Sequence, residues 1–346
     1  MQNILLVGGA GYVGSVLAEE LSERGHSVTI LDRLYYGDDG ISSLDNIKVI
    51  VQDMRTVGPE VFEGVDTVVN VGGLSNDPTA AYNPRANYEM NTVAARTLAD
   101  LCRQNGVRRY VFASSCSIYD RGVSDDSKDE IQTELSEVNP ESAYSSSKFE
   151  AERLLLELSG DDFCPVILRK GTIFGFSPRM RYDLVANTFV KDAMSKGSIS
   201  LFNGGEMWRP LIEVRDVARA YATVIEANES KVKGEIFNIA LRNLRISELA
   251  LRVREALRVQ GIDFDIQPIY DHQNVRSYRV SCDKIRNTLG FEAEVTVEQA
   301  VEDMVQKIRH QNLTDFGNPK YYNIQWMKRL EQSQLASGVS RSVFDA

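Results

Sequence analysis

Short uninterrupted apolar runs alternate along the first half of the chain with longer stretches in which apolar positions recur every three or four residues. The runs at 3–7, 27–31, 48–51, 66–71, 109–114 and 165–169 have the length and composition of buried strands. The stretches at 15–24, 78–82, 88–104 and 145–158 have helical periodicity. Strand and helix taking turns in this way predict an α/β fold, a doubly wound parallel sheet with helices on both faces. After Gly171 the alternation gives way to loops and shorter elements, and it resumes briefly over 211–227 and 235–239. We therefore expect a dinucleotide-sized domain over 1–170 with returning segments at about 211–240. A smaller, mixed α/β substrate domain is expected to comprise 171–210 and about 241–330. From about Asn312 the chain turns polar and irregular, and 331–346 reads as a mobile tail.

The first strand runs into Gly8-Gly9-Ala10-Gly11-Tyr12-Val13-Gly14 and then a helix. Gly8, Gly11 and Gly14 permit a tight turn, close approach of the backbone to a pyrophosphate, and packing of helix on strand, while the helix amino terminus favours negative charge. The second strand ends at Asp32, at the distance where a carboxylate meets a ribose 2′-hydroxyl. This makes the sheet Rossmann-type. A carboxylate there repels a 2′-phosphate, so NAD is favoured over NADP; Arg33 beside it is the opposing signal. Other residues of note also end strands, where ligands gather on such sheets: Asp53-Met54, Val71-Gly72-Gly73 and Ser114-Ser115. Asp53 and Met54 would flank an adenine, or serve as a turn aspartate and a core methionine.

Tyr144 and Lys148 stand one helical turn apart on one face. A lysine ammonium beneath a bound ribose lowers the pKa of a nearby phenol, and an upstream serine from Ser114, Ser115 or Ser117 can hold a substrate hydroxyl beside it. Such a pair is common by chance; behind the glycine turn and Asp32 it becomes a catalyst for moving hydrogen at a carbinol.

The 346 residues are 43% hydrophobic and 25% charged, an ordinary globular balance. The net charge of −10, with no polybasic run, disfavours nucleic acid and anionic membranes as partners. No apolar stretch is long enough to span a bilayer. Cys102, Cys116, Cys164 and Cys282 have neither metal nor disulfide spacing, so no metal is expected and a reduced, cytoplasmic setting is. Helices 88–104 and 145–158 carry apolar stripes through Val93, Leu98 and Leu101 and through Phe149, Leu154, Leu155 and Leu158; most of each stripe is expected to cover the sheet, and surplus positions on both suggest a homodimer formed through a four-helix bundle.

With these motifs in order over roughly residues 1–310, the chain resembles the extended short-chain dehydrogenase/reductase family, in its NAD-dependent nucleotide-sugar epimerase/dehydratase branch. The resemblance also takes in Asn91, Leu168-Arg169, Val214-Arg215-Asp216-Val217 and Asn238. It implies NAD across the strand ends, Tyr144 as base, Lys148 on the nicotinamide ribose and Ser115 as the catalytic serine. It implies a nucleotide-diphosphate sugar as substrate, with Asn187, Arg209 and Arg276 on the diphosphate. Ser75, Ser117 and Thr172 are the remaining candidates for contact with the sugar, and Lys170-Gly171-Thr172 would line the nicotinamide side.

Departures from the family pattern narrow the chemistry. Sugar 4,6-dehydratases carry an Asp-Glu pair where this chain has Cys116-Ser117, which disfavours loss of water. Epimerases acting at positions 3 and 5 pair a cysteine with a second-domain lysine or histidine. Cys116 is one position off, and the histidines are His26, His272 and His310. What remains needs only Ser, Tyr, Lys and NAD: epimerisation at C4 through a transient 4-keto sugar. A nucleotide-sugar 4-ketoreductase with net cofactor turnover is the alternative, and a non-catalytic dinucleotide-binding protein the remote one.

Overall fold

The computed structural model describes residues 1–42, 44, 47–119, 130–138, 140–270, 276–336 and 342–346. His272 and the tail segment 337–341 lie outside the described residues. Seven strands form one all-parallel sheet in the order Ile236–Ile239, Cys164–Lys170, Arg109–Ser115, Thr67–Asn70, Asn3–Val7, Ser27–Asp32 and Lys48–Val51. Its central strands are buried on both faces, which is why Ile4-Leu5-Leu6-Val7 and Val166-Ile167-Leu168 read as unbroken apolar runs. Because all seven strands point the same way, Gly8, Asp32, Asn70, Ser115 and Lys170 arrive at one edge of the sheet.

Two apolar clusters cover the faces. One gathers Leu17, Leu21, Val217, Tyr221 and Ile225 from helices Tyr12–Glu23 and Val214–Glu226. The other gathers Leu98, Cys102, Leu155 and Leu158 from the opposite side. The expected helix over 88–104 is real but not continuous: Pro84–Tyr88 is α-helical, Glu89–Val93 forms a π-turn, and Ala94–Gln104 resumes the α-helix. Insertions of this kind are frequent at functional sites. Along the apolar stripes of these two helices Val93 is 46% exposed, whereas Leu98 and Leu155 are fully buried in the sheet packing.

The smaller region has its own core, in which helices Val185–Lys196, Ile246–Val259 and Val297–His310 contribute Phe189, Val190, Leu249, Val253, Val301 and Met304. Its strands are short and mixed. Trp208–Glu213 lies between Thr172–Phe174, parallel, and Arg242–Arg245, antiparallel. The segment from 211 expected to return to the large sheet therefore pairs elsewhere; its helix Val214–Glu226 and strand Ile236–Ile239 do return.

The end of the chain departs from expectation. Residues 323–336 are helical, with Met327 buried, so the polar stretch after Asn312 is not irregular throughout. Beyond the undescribed segment, Val343 and Phe344 are 3% and 2% exposed. The Val343 carbonyl accepts from Tyr35 Oη at 2.6 Å, the Phe344 carbonyl from Arg55 Nη1 at 2.8 Å and the Asp345 carbonyl from Arg33 Nη1 at 3.0 Å. Residues 342–346 are thus docked rather than a free tail. One aromatic side chain and three satisfied carbonyls outweigh the polar composition around them.

Candidate active site

The carboxyl edge of the sheet opens into a cavity of about 330 Å³ that continues against the smaller region. Its floor is the glycine turn. Gly8 has φ +81°, and a Cβ there would lie 2.6 Å from Gly72 Cα, so only glycine lets the first and fourth strand ends approach this closely. Gly11, Tyr12, Val13 and Gly14 complete this floor, with Val71, Gly72 and Gly73 beside them. Gly73 has φ +120°, and an added Cβ would run into Asn91 Oδ1.

Asp32 lines the cavity with its oxygens already engaged: Oδ2 accepts from Ala10 N at 3.1 Å and Oδ1 from Leu34 N at 2.8 Å. Burial raises its pKa above the usual carboxylate range, against those two bonds and nearby Arg179. Asp53 and Met54 also line the cavity. Asp53 is paired with Arg33 and with Arg55, both at 2.7 Å. Burial opposes its ionisation, but the Arg55 bonds prevail and hold it below the ordinary value. Arg33 is therefore tied to Asp53 and the docked chain end, not free to swing to a phosphate.

Ser115, Ser117, Tyr144 and Lys148 meet on the opposite wall. Helix Ala143–Leu156 starts on a capping box in which Ser142 and Ser145 bond reciprocally, so the phenol and amine are set by a defined helix start. Ser115 Oγ donates to Ser117 Oγ at 2.9 Å and also hydrogen-bonds the Tyr144 phenol. Lys148 is 4% exposed, with Nζ 4.8 Å from the centre of the Phe112 ring. Burial pulls its pKa down to about 8, resisted by Glu152 one turn on. Glu152 is itself 1% exposed and pairs with Arg169 at 2.6 Å, while Arg169 Nη1 donates to Tyr119 Oη at 2.6 Å. This buried pair pins the Lys148 helix to strand Cys164–Lys170. The Tyr144 pKa stands at about 12, pushed up first by burial and then by Asp77, and lowered by Arg276, Ser115 and Arg181. The expected depression by Lys148 does not prevail: burial dominates the phenol and leaves the lysine itself weakly basic.

Lys170 is the register partner of Ser115 on the adjacent strand and lines the same wall, its Nζ donating to the Ser114 carbonyl at 2.7 Å. Thr172 and Ser75 line the cavity as well, and Arg276 does so while paired with Asp77.

Four expected ligand residues take other positions. Ser114 is fully buried and faces away from the cavity, because strand residues alternate sides and Ser115 takes the inner one. Asn91, 1% exposed, spends its amide on the Leu74 carbonyl at 2.9 Å and on Asn87 Oδ1 at 2.7 Å, shaping the loop after Gly73. Asn187 is fully buried; its amide donates to the carbonyls of Gly175 and Arg181, and its oxygen accepts from Gly175 N. Arg209 does not line the cavity: its guanidinium donates to the Trp208 and Arg276 carbonyls, so it fixes the backbone of Arg276. Asn91, Asn187 and Arg209 satisfy backbone groups that would otherwise be buried unpaired.

Sequence reasoning also missed residues that do line the cavity, notably Tyr35, Tyr36, Arg179, Arg181 and Asn323. The arginines sit between strand Thr172–Phe174 and helix Val185–Lys196, in a segment that carries no motif. Asn323 carried no signal, since only the fold brings it back across the chain.

Residues 4–240 match the NAD dependent epimerase/dehydratase family, and the chain belongs to it. A UDP-N-acetyl-alpha-D-glucosaminuronate decarboxylase of Bacillus cytotoxicus is 25% identical over 318 residues, covering 88% of this chain and 97% of the relative. A putative UDP-glucose 4-epimerase of Methanocaldococcus jannaschii is 24% identical over 320 residues, covering 90% and 100%. Among solved structures, the UDP-N-acetylglucosamine 4-epimerase of Methanobrevibacter ruminantium M1, in complex with UDP-N-acetylmuramic acid, superimposes with a TM-score of 0.79. It shares 20% identity and covers 90% of this chain and 99% of its own. The protein is thus an NAD-dependent enzyme of a family of nucleotide-sugar epimerases, dehydratases and decarboxylases, built on the extended short-chain dehydrogenase/reductase fold. The glycine floor, closed to any side chain at Gly8, and the inward Asp32 carboxylate fit the dinucleotide.

Proposed function

We propose that the enzyme epimerises a nucleotide-diphosphate sugar at C4. One observation carries this reading: Ser115, Tyr144 and Lys148, the set that hydride removal and return at a carbinol needs, line the same cavity as the glycine floor. Gly8, Gly11, Gly14, Asp32, Gly72 and Lys148 would hold the dinucleotide. When bound, NAD supplies the acceptor and donor of hydride at the carbinol carbon. Ser115 would hold the 4-hydroxyl against Tyr144, whose oxygen takes the hydroxyl proton as the C4 hydrogen departs as hydride, leaving a C4 ketone. Tyr144 takes that proton in its phenolate form, a minor one near neutrality with a pKa of about 12; having taken it, the phenol holds it firmly and returns it when hydride comes back to the other face. Lys148, with a pKa of about 8, is chiefly charged near neutrality and would position a ribose from that wall. Arg276 and Thr172 would contact the substrate. Exposed Val93 supports a dimer through the helices at 88–104 and 145–158.

The experiment is incubation with UDP-glucose, UDP-N-acetylglucosamine and UDP-glucuronic acid without added reductant, with products resolved by NMR. The C4 epimer of one of them, lost in Tyr144→Phe, is the expected result. Release of carbon dioxide from UDP-glucuronic acid, or turnover only with stoichiometric NADPH, would replace epimerisation with decarboxylation or ketoreduction.

A further inference from the structure

Arg179 and Arg181, in the loop after strand Thr172–Phe174, line the cavity and are 7% and 5% exposed. Each guanidinium is held in place. Arg179 lies 3.6 Å from the centre of the Tyr36 ring and donates from Nη2 to Asn323 Oδ1 at 2.6 Å. Arg181 donates from Nε to Asp183 Oδ1 at 2.8 Å and from Nη1 to Ser75 Oγ at 3.4 Å. Each also keeps one buried N–H without a partner, Nε of Arg179 and Nη2 of Arg181. Two buried cations with unspent donors are costly in an acidic protein unless an anion completes them. The loop carrying them is bolted to the glycine turn: Tyr12 Oη donates to the Gly175 carbonyl at 2.7 Å, Ser177 Oγ donates to the Tyr12 carbonyl at 2.7 Å, and Ser15 and Ser177 hydroxyls meet at 3.0 Å. Asn187 holds the Arg181 carbonyl from the other side, at 2.9 Å.

We propose that Arg179 and Arg181 form a diphosphate clamp that closes from the smaller region over the amino terminus of helix Tyr12–Glu23. This rests on the site being a dinucleotide and nucleotide-sugar site, but not on which sugar carbon reacts. Planar guanidinium forks suit phosphate oxygens, and the helix amino terminus supplies the opposing donors. The neighbourhood of Asp32, Tyr12 and Ser15 puts the clamp on the cofactor side of the cavity, so the diphosphate it grips is that of the dinucleotide. A clamp on this side would retain the cofactor between turnovers, as a reaction with no net redox change requires.

The test is calorimetric binding to the full chain of ADP-ribose, UDP, inorganic pyrophosphate and adenosine, for wild type, Arg179→Gln and Arg181→Gln. Loss of one charge-assisted bond pair is expected to weaken ADP-ribose and pyrophosphate by roughly 10- to 100-fold and to leave adenosine unchanged. Weakening of UDP alone with ADP-ribose unchanged would overturn the assignment to the dinucleotide. Unchanged binding of both diphosphates, or an equal loss for adenosine, would overturn it. If the glutamine variants fail to fold, Arg179→Lys and Arg181→Lys keep the charge and lose the fork; wild-type diphosphate affinity in both would equally overturn it. None of these readouts depends on turnover, so they stand apart from the epimerase assignment.

Discussion

Replacing Lys148 with methionine should make the protein more stable while removing its activity. The amine is 4% exposed, beside the Phe112 ring, and burial holds its pKa at about 8 instead of 10.5. At about 1.4 kcal/mol per pH unit, that difference makes the ionised amine about 3 kcal/mol less favourable in the fold than in the unfolded chain. The sign follows from proton binding. Below pH 8 the lysine is charged in both states and the fold bears the full cost; between about 8 and 10.5 only the unfolded chain stays charged, and the cost fades; above 10.5 it is gone. Lys148→Met, close in volume and able to pack on Phe112, should therefore raise the unfolding free energy at pH 6.5 by up to about 3 kcal/mol. The gain should shrink steadily from pH 8 to 10.5. Urea melts of both proteins across that range measure it. A variant less stable than wild type at pH 6.5, or a difference independent of pH, would refute the reasoning.

Two further outcomes are expected. Glu152→Gln leaves Arg169 buried without its counter-charge and should cost about 3–5 kcal/mol in urea melts, with activity falling because the Lys148 helix loses its anchor; a loss below about 1 kcal/mol would show that the pair does not hold the helix. Phe344→Ala should lower stability by up to about 3 kcal/mol and speed proteolysis near the end of the chain, whereas unchanged proteolysis would mean the docked segment is not held by that ring.

The parts of the site written in local spacing could be read from the sequence. The turn from Gly8 to Gly14, Asp32 at a strand end, and Tyr144 with Lys148 one turn apart all depend on contacts within a few residues or on the direction of parallel strands. Side chains whose job is set by distant backbone could not. Asn187 and Asn91 enter as ligands through the family resemblance, yet both are consumed by carbonyls of loops that only the fold brings to them. Arg209 has the charge to grip a diphosphate, but strand pairing turns it onto the Arg276 backbone. Arg179 and Arg181 were hidden for the converse reason: nothing in Ser177-Pro178-Arg179-Met180-Arg181 says which way either guanidinium points until Tyr36 and Asn323 arrive beside it. Polar composition likewise concealed the docked end, where burial of Phe344 and three satisfied carbonyls decide the outcome.

The central claim is that hydride leaves C4 and returns to the same carbon from the other face, with Tyr144 carrying the proton. The most direct test uses whichever nucleotide sugar is turned over, deuterated at C4, with its products followed by NMR and mass spectrometry. Retention of the deuterium at C4 in a product of inverted configuration, abolished in Tyr144→Phe, is the predicted result. Loss of the label to released cofactor, or its exchange with solvent, would contradict it.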